Sequence, residues 1–303
     1  MVAVTMVLAA CSSPPGEPPV RQDPVVVYAA FEDDARIVAV LERYKQETGV
    51  LVIVRRGPAQ RIVNDLIDND VSPPADVLMT RSVVDIWRAA EESALRPMFS
   101  DEVSQRVPAW ARDPDDLWFA TAVRTAVIAH TQQMPLPDSA PDIRSLADPQ
   151  YSGALCLTTS RSAGNRAIVA GLISEIGGRE AELVVRGWIG NLAVPPFEDN
   201  ARLLEALESG QCRYGIAVDA VPAAEPHATG AVAISAWPAD VEAIGIGRHA
   251  KNPEGAVALI EWLFRQHEFS YLPDPDASQQ SNISAVAWHY EEAIKLVERA
   301  RYP

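Results

Sequence analysis

The sequence predicts an α/β protein built from two lobes that are joined by crossing strands. Short apolar runs alternate with amphipathic helical segments between residues 24 and 87, which is typical of a parallel sheet covered by helices on both faces. A second unit of the same kind extends from residue 155 to residue 218. Two β-rich segments, residues 118–130 and 241–246, are placed to cross between the lobes: the first leaves one sheet for a second, and the other returns.

The first lobe starts with three strand–helix pairs. Apolar runs at residues 24–28, 50–54 and 75–79 predict short buried strands, and the helix after the first run carries Ile37 and Leu41 at helical spacing. Ligands of parallel sheets bind beyond the carboxyl ends of the strands. The loops that follow these three strands are therefore predicted to form one wall of a ligand cleft.

The second lobe is organised around a hydroxyl-rich turn between a short buried strand at residues 155–157 and a helix that passes through Ile173. The first N–H groups of a helix have no partner within the helix and carry partial positive charge. Hydroxyl groups and a guanidinium at such a turn form a cradle for an anion. The alternative is that Ser160 or Ser162 only caps the helix. The residues of this candidate cradle are Thr159, Ser160, Arg161, Ser162 and Ala163.

Composition and motifs favour a binding protein over a nucleic-acid binder or an enzyme. The 303 residues suffice for two domains, and the net charge of −15 argues against a nucleic-acid partner, which requires a basic face. The sequence contains no Gly-x-Ser-x-Gly, His-Glu-x-x-His or Cys-x-x-Cys motif and no Gly-rich loop that ends in Lys-Ser or Lys-Thr. An α/β hydrolase or transferase is the less favoured alternative.

The N-terminus has the pattern of a bacterial lipoprotein signal. Residues 1–10 are apolar, Leu8-Ala9-Ala10-Cys11 matches the cleavage box, and a polar, Pro-rich tether follows. The processed protein is expected to carry its lipid on Cys11 and to be anchored to a membrane, in the periplasm or at the cell surface. No Lys or Arg precedes the apolar run, and the alternative is a frayed N-terminus with a chance cysteine.

Two further cysteines, Cys156 and Cys212, lie at predicted strand edges of the second lobe. Outside the cytoplasm they can form a disulfide, and burial as two free thiols is an equal alternative. The sequence does not choose between these two states.

The domain boundaries follow from the crossing strands. Residues 1–23 are predicted to form the lipoprotein signal and tether, residues 24–122 with 236–270 the first lobe, and residues 123–235 the second lobe. Residues 271–303 contain an acidic, Pro-rich loop and a last helix from about residue 282 to residue 301, which we expect to pack on the lobes.

Several segments, taken in order and spacing, resemble one family of proteins. They lie at residues 26–28, 44–50, 75–77, 146–153 and 251–256, and so extend over nearly the whole mature chain. The chain resembles the periplasmic substrate-binding proteins of ABC importers, specifically the ferric-iron type. The resemblance implies the type II periplasmic-binding-protein fold, a clamshell that closes by hinge motion around a small-molecule or ion ligand. We expect a monomer that delivers this ligand to an ABC permease in the inner membrane.

The resemblance also implies an anion site. The family holds a synergistic anion at the turn that corresponds to the candidate cradle. Arg124 falls near an arginine that serves this anion in some members, and the alternative is a salt bridge at the hinge. Asn200 aligns with a family asparagine that faces the anion, and the alternative is a helix cap.

The metal ligands are where the sequence departs from the family. Two adjacent tyrosines after a second-lobe strand dominate the family's iron(III) site, and the matching residues 215–222 contain no tyrosine. The first-lobe histidine of many members falls at Glu32, and the glutamate of the next loop falls at Gln60. Glu32 and Asp219 offer carboxylate oxygens to a metal, or serve only as a helix cap and a solvated loop residue.

Several ligands therefore stay open. The family implies iron(III) with a synergistic anion, whereas the missing tyrosines favour a small anion, a phosphorylated or phosphonate solute, or a chelated metal. The apolar ring of Phe31 favours a less polar solute than iron. We expect contacts from Ser160, Arg161 and Ser162 on one side and from residues 30–32 on the other. A receptor that reports a solute to a membrane-bound sensor is the other function that this clamshell would serve.

Overall fold

A computed structural model describes residues 23–31, 35–130, 142–219, 237–267, 269 and 283–303, with only the main chain for residues 219 and 237–239. The strands found there are β1 (Val25–Ala29), β2 (Val52–Arg56), β3 (Val77–Thr80), β4 (Leu95–Arg96), β5 (Trp118–His130), β6 (Leu155–Leu157), β7 (Tyr214–Asp219) and β8 (Trp237–Gly247). The α-helices are α1 (Ala35–Thr48), α2 (Ala59–Asp68), α3 (Val83–Glu91), α4 (Asp101–Arg106), α5 (Ala163–Ile176), α6 (Gly178–Gly190), α7 (Asn200–Glu208), α8 (Pro253–Phe264), α9 (Ile283–Trp288) and α10 (Tyr290–Ala300). Short 3₁₀ turns lie at residues 109–111, 143–147 and 149–151. No helix in these ranges is long and apolar enough to span a bilayer.

These strands form one sheet in the order β2-β1-β3-β8-β5-β7-β6, and β4 pairs with the end of β8. The neighbours β1, β2 and β3 are parallel, as are β6 and β7, whereas β5 and β8 run antiparallel to the strands beside them. We call β1–β3 with their helices the first lobe, and β6 and β7 with α5–α7 the second lobe. The alternation of strands and helices in the sequence therefore predicted the parallel parts of the sheet.

The expectation that β5 leaves one sheet for a second is wrong. Strand β5 has 13 residues, so its first half pairs with β8 beside the first lobe and its second half pairs with β7 in the second lobe. Because β8 also accompanies β5 as far as Trp237, the pairing of these two strands extends from one lobe to the other. Strand β8 is accordingly longer than the predicted residues 241–246.

The two crossing strands are irregular where they pass between the lobes. Their register shifts between Ala120 and Ala122 and again between Arg124 and Thr125, so Thr121 on β5 and Ala239 on β8 have no partner in register. Extra residues of this kind bend a strand and increase its twist. This segment, Ala120–Thr125 with the facing part of β8, is called the hinge below.

The core explains why the first-lobe elements form as predicted. Every residue of β1 is buried, because helices cover both faces of the sheet at this strand. Helix α1 buries Ile37 and Leu41 on one face, in agreement with the apolar spacing. Helix α8 begins with Pro253, and the Asn252 side chain accepts a hydrogen bond from Gly255 N at 2.9 Å.

The C-terminal segment forms two helices where the sequence predicted one. The chain turns at His289 (φ −88°, ψ 3°), which separates α9 from α10. Helix α9 contacts α3 of the first lobe and α5 of the second, and α10 contacts α5 and α6. Trp288 meets Trp87 of α3 edge to face, with 6.2 Å between the ring centroids. The C-terminal helices therefore bridge the two lobes on the side of α3 and α5.

Cys156 and Cys212 form a disulfide, which decides between the two states that the sequence left open. Their Cα atoms are 5.8 Å apart, and the bond joins β6 to the segment before β7. Both residues belong to a small second core with Ala129, Leu203 and Leu207. The disulfide therefore fixes the strand that leads into the candidate cradle.

Candidate functional site

The candidate cradle lies at the N-terminus of α5, and the main chain builds it. Ser162 is the N-cap residue, but its side chain accepts no hydrogen bond from the helix, so the alternative of a simple Ser162 cap is wrong. Thr159 N donates to Phe197 O at 2.8 Å, and Ser160 N donates to Pro303 O at 2.7 Å. The backbone of the turn is thus fixed from outside, and the Ser162 hydroxyl is not used by the helix.

Two buried polar side chains that the sequence analysis assigned no role hold this turn in place. Asn165 Nδ2 lies 2.7 Å from Thr158 Oγ1, 3.0 Å from Thr159 O and 3.0 Å from the Tyr302 hydroxyl. Tyr302 in turn donates its hydroxyl hydrogen to Thr158 O at 2.8 Å. Burial strongly raises the pKa of Tyr302, so its phenol stays protonated and able to donate. The C-terminal segment therefore supports the cradle directly.

Three elements of the second lobe converge at the carboxyl end of β7. A Cβ atom on Gly164 would lie 2.8 Å from Val218 Cγ2, so glycine lets the first turn of α5 approach β7 closely. Asn200 Nδ2 donates to Val218 O at 2.9 Å, while Asp199 caps α7 by accepting from Arg202 N at 2.9 Å. The alternative of a helix cap for Asn200 is therefore wrong, and its side chain is bound to the backbone near the end of β7.

Arg161 is the cradle residue that faces solvent. Its side chain is 76% exposed, and its guanidinium lies 3.8 Å from the Glu198 carboxylate, which is 67% exposed. Such an exposed pair contributes little to stability. Arg161 is therefore available to a ligand without the loss of a buried contact.

Arg124 forms a salt bridge at the hinge, which was the alternative to an anion contact. Its Nη1 atom lies 3.6 Å from Oδ2 of Asp240, whose side chain is fully buried. Burial raises the pKa of Asp240 to about 6, although the Arg124 guanidinium and three hydrogen bonds favour the ionised form. The Arg124 side chain as a whole is a quarter exposed, in contrast to that of Asp240.

The first-lobe wall is built by the loops after β1 and β3. The Arg81 guanidinium carbon lies 5.0 Å from the ring centroid of Phe31, at the distance of a cation–π contact. A cavity beside this pair is lined by Thr121 of the hinge and by Glu242, among other residues. Glu242 also accepts a hydrogen bond from Arg36 at 3.0 Å. The sequence analysis included Phe31 and missed Arg81, whose position after β3 was the available signal.

The proposed metal ligands are not tested by this geometry. Glu32 lies outside the described residues, and for Asp219 only the main chain, opposite Thr125 in the sheet, is described. Gln60 is exposed on the first turn of α2. Within the described ranges, no group of three or more His, Cys, Asp or Glu side chains is placed to hold a metal ion.

The geometry suits a small anionic ligand. Helix α5 directs its N-terminus to the end of β7, and the cationic side chains of Arg124 and Arg161 belong to the hinge and to the same turn. Arg81 adds a third guanidinium in the first-lobe loop after β3. The described residues thus offer positive charge from both lobes and no cluster of metal ligands.

Comparisons with known proteins agree with this arrangement. The family model of bacterial extracellular solute-binding proteins matches residues 25–266. Iron uptake protein A1 of Synechocystis is 26% identical over 293 residues, which cover 90% of this chain and 81% of that protein. Iron uptake protein A2 of Synechocystis and an Fe(3+)-binding periplasmic protein of Serratia marcescens are also similar, and all three names describe iron uptake or binding rather than an enzyme activity.

Solved structures with a similar fold extend the comparison. A Trichodesmium protein in complex with iron and citrate ligands superimposes with a TM-score of 0.80 at 22% identity, over 92% of this chain and 100% of that chain. Ferric iron-binding protein A of Mannheimia haemolytica, in an open conformation, gives a TM-score of 0.76 at 21% identity, over 93% of this chain and 99% of the other. The likeness confirms the predicted two-lobed α/β fold.

Proposed function

Because the chain belongs to the family of bacterial extracellular solute-binding proteins, we propose that it captures iron(III) as an anionic chelate between its two lobes. The observation that supports this proposal most is the helix N-terminus of α5 at the end of β7, beside a turn that Asn165 and Tyr302 hold in place. A chelate brings its own oxygen ligands to the metal. The protein then needs to recognise only the outer carboxylates.

Two further facts support a hydroxycarboxylate chelate as the form in which iron(III) is bound. The chain lacks the tyrosine pair that its resemblance to the ferric-iron type predicts, and iron(III) prefers anionic oxygen ligands. A relative is named for iron uptake, and a structure of the same fold contains both iron and citrate. A hydroxycarboxylate chelate of iron(III) satisfies both facts, since it supplies the oxygens that the tyrosines would otherwise give.

The cellular setting is part of the same proposal. The protein is proposed to work outside the cytoplasm, anchored through Cys11, and to pass its ligand as a monomer to an ABC permease. The disulfide between Cys156 and Cys212 suits an oxidising compartment. The lobe boundaries are proposed to lie at the hinge, near residues 122 and 236.

A thermal-shift panel tests this function. The purified protein is heated with ferric citrate, citrate alone, inorganic phosphate, a phosphonate and a sugar phosphate. A ligand at about 100 times its dissociation constant adds about 2.7 kcal/mol, which raises Tm by about 3 to 5 °C. We expect ferric citrate to give the largest shift. A larger shift with phosphate or a phosphonate, and none with ferric citrate, would contradict the proposal.

A further inference from the structure

The two carboxylate oxygens of Asp240 have different neighbours: Oδ1 is hydrogen-bonded, and Oδ2 lies near Arg124 of the hinge. Oδ1 accepts hydrogen bonds from Val83 N at 2.8 Å, from Val241 N at 2.9 Å and from the Ser82 hydroxyl at 3.3 Å. Oδ2 accepts no hydrogen bond from the described residues, although the side chain is fully buried. The neighbour that Oδ2 does have is Arg124, at 3.6 Å.

This arrangement fixes the direction of the free oxygen. The N-terminus of α3 and the backbone of β8 hold Oδ1 with three donors, so the carboxylate cannot rotate without breaking bonds to both elements. Oδ2 is therefore aimed at the guanidinium of β5 before any ligand arrives. Arg124 and Asp240 face each other in the pairing of β5 with β8, directly beside the register shift of the hinge.

We propose that Asp240 is the positioning residue that presents Arg124 to the anionic ligand at the hinge. The inference rests on the proposed function, because it takes Arg124 as a contact of the chelate. In this proposal the buried carboxylate attracts one edge of the guanidinium across 3.6 Å, and the exposed part of the Arg124 side chain is the part that meets the ligand. The same carboxylate accepts a hydrogen bond from the N-terminus of α3, so Asp240 links the first lobe to Arg124.

The charge of Asp240 decides whether this support exists. A proton on Asp240 must sit on Oδ2, because Oδ1 already accepts from three donors, and the O–H would then face the N–H groups of Arg124. The amide of an Asp240→Asn variant is forced into the same orientation, with its NH₂ group toward the guanidinium. In the protonated carboxyl and in the amide alike, an O–H or N–H group faces the N–H groups of Arg124. Two hydrogen-bond donors then face each other, so Arg124 is expected to move away from residue 240.

The surroundings of Asp240 give its carboxyl a pKa that can be reached without extreme pH. Burial raises the pKa of Asp240 to about 6, against the effect of Arg124 on β5. On the other side, Tyr290 of α10 feels the charges of Asp240, of Asp85 on α3 and of Arg166 on α5, and it hydrogen-bonds Arg166. Loss of the Asp240 charge as pH falls through about 6 is thus predicted to weaken ligand binding.

Calorimetric titration with ferric citrate at pH 7.5 and pH 5.0 tests the inference on the full chain. Asp240→Asn, Arg124→Gln and the double variant are compared with the unmodified protein, and Asp85→Asn serves as the matched control. Asp85 lies on α3 and, like Asp240, has a carboxyl whose pKa is raised by burial to about 6, but the cation that acts on it is Arg88 and not Arg124. Ratios between variants at one pH cancel the changing speciation of ferric citrate.

We expect Asp240→Asn to weaken ferric citrate about tenfold at pH 7.5 and less than twofold at pH 5.0. It should have no further effect in the Arg124→Gln background, and Asp85→Asn should bind like the unmodified protein at both pH values. Binding by Asp240→Asn that is unchanged or tighter at pH 7.5 would overturn the inference, since Asp240 would then only compete with the ligand for Arg124.

A second comparison covers the case in which Asp240→Asn does not fold. The affinity ratio between the unmodified protein and Arg124→Gln must then shrink from pH 7.5 to pH 5.0, and a constant ratio overturns the inference. If the unmodified protein binds no ferric citrate at either pH, the proposed function and the inference fall together. If it binds and the variants show no pattern of this kind, the inference alone is wrong.

Discussion

The turn at the N-terminus of α5 is stabilised by single residues from distant parts of the chain. The Tyr302 hydroxyl reaches Thr158 O across a separation of 144 residues, and Asn165 meets both of them. The buried phenol and the Asn165 amide both donate to the backbone carbonyl of Thr158, directly after β6. The geometry of the ligand site therefore depends on the C-terminal segment as much as on the turn itself.

Tyr302→Phe tests this dependence. The substitution keeps the ring and removes the hydroxyl, so Thr158 O and Asn165 Nδ2 each lose a buried hydrogen bond. We expect the free energy of unfolding in urea to fall by about 1 to 2 kcal/mol, together with weaker binding of ferric citrate. Unchanged affinity in a destabilised variant would show that the cradle keeps its shape without this support.

Asp85 gives a pH-dependent stability at the same scale. Its raised pKa, about 6, means that the folded protein binds this proton more tightly than the unfolded chain does. The ionised form therefore costs stability above pH 6, and the cost fades as pH falls toward the ordinary aspartate value. Asp85→Asn should raise the unfolding free energy by about 1 to 2 kcal/mol at pH 7.5, less than the full shift implies because Asp85 is only partly buried.

Chemical denaturation at pH 7.5 and pH 4.5 measures this difference. Most of the gain from Asp85→Asn should be lost at the lower pH, where the natural carboxyl is itself largely protonated. An equal gain at both values would mean that the substitution acts through packing and that the carboxyl does not titrate near pH 6.

At the scale of elements, the proposed anion site depends on the position of α5 against β7. Gly164→Ala would place a methyl group 2.8 Å from Val218 Cγ2, so the first turn of α5 must move outward. We expect a loss of about 1 to 3 kcal/mol in unfolding free energy and a clear loss of ferric citrate affinity. Denaturant unfolding and calorimetric titration measure the two effects.

Gly190→Ala is the matched control, because a Cβ atom there meets no heavy atom within 4 Å. Gly190 ends α6, and alanine favours a helix over glycine, so this variant should be as stable as the unmodified protein or slightly more stable. If Gly164→Ala behaves in the same way as Gly190→Ala, the close approach of α5 and β7 is not needed for the site.

Elements with strong local patterns were predicted well, whereas contacts between distant residues were not. The spacing of Ile37 and Leu41 in α1 and the Asn252-Pro253 start of α8 are local signals, and the structure has both helices. The continuity of the sheet through β5 and β8 depends on register, which periodicity does not specify. The Tyr302–Thr158 bond and the support of Arg124 by Asp240 join residues that are 144 and 116 positions apart, so no spacing rule points to them.

At the scale of the whole molecule, the ligand must approach a strongly acidic protein. The net charge of −15 repels an anion at long range, whereas the cradle, Arg124 and Arg161 attract it only nearby. Salt shortens the range of the repulsion, from about 30 Å at 0.01 M to about 8 Å at 0.15 M ionic strength.

The association rate of ferric citrate should therefore rise about twofold or more between these two salt concentrations. Stopped-flow measurement of the tryptophan fluorescence change follows this rate, with the neutralised variant Glu198→Gln as a check on local charge beside Arg161. A rate that falls with salt would show that the positive site dominates the field already at long range.

Two lobes meet at the hinge, and α9 and α10 bridge them. Capture of an iron(III) chelate between these lobes is the central proposal. The most direct test is equilibrium dialysis of the protein against ferric citrate in which iron and citrate carry different radiolabels. We expect iron and citrate to be retained together, and Ser160→Ala/Ser162→Ala to lose both labels with an unchanged Tm, since the side chain of the N-cap residue Ser162 accepts no hydrogen bond from α5. Retention of iron without citrate would overturn the proposed capture of a chelate, because the protein would then supply the metal ligands itself.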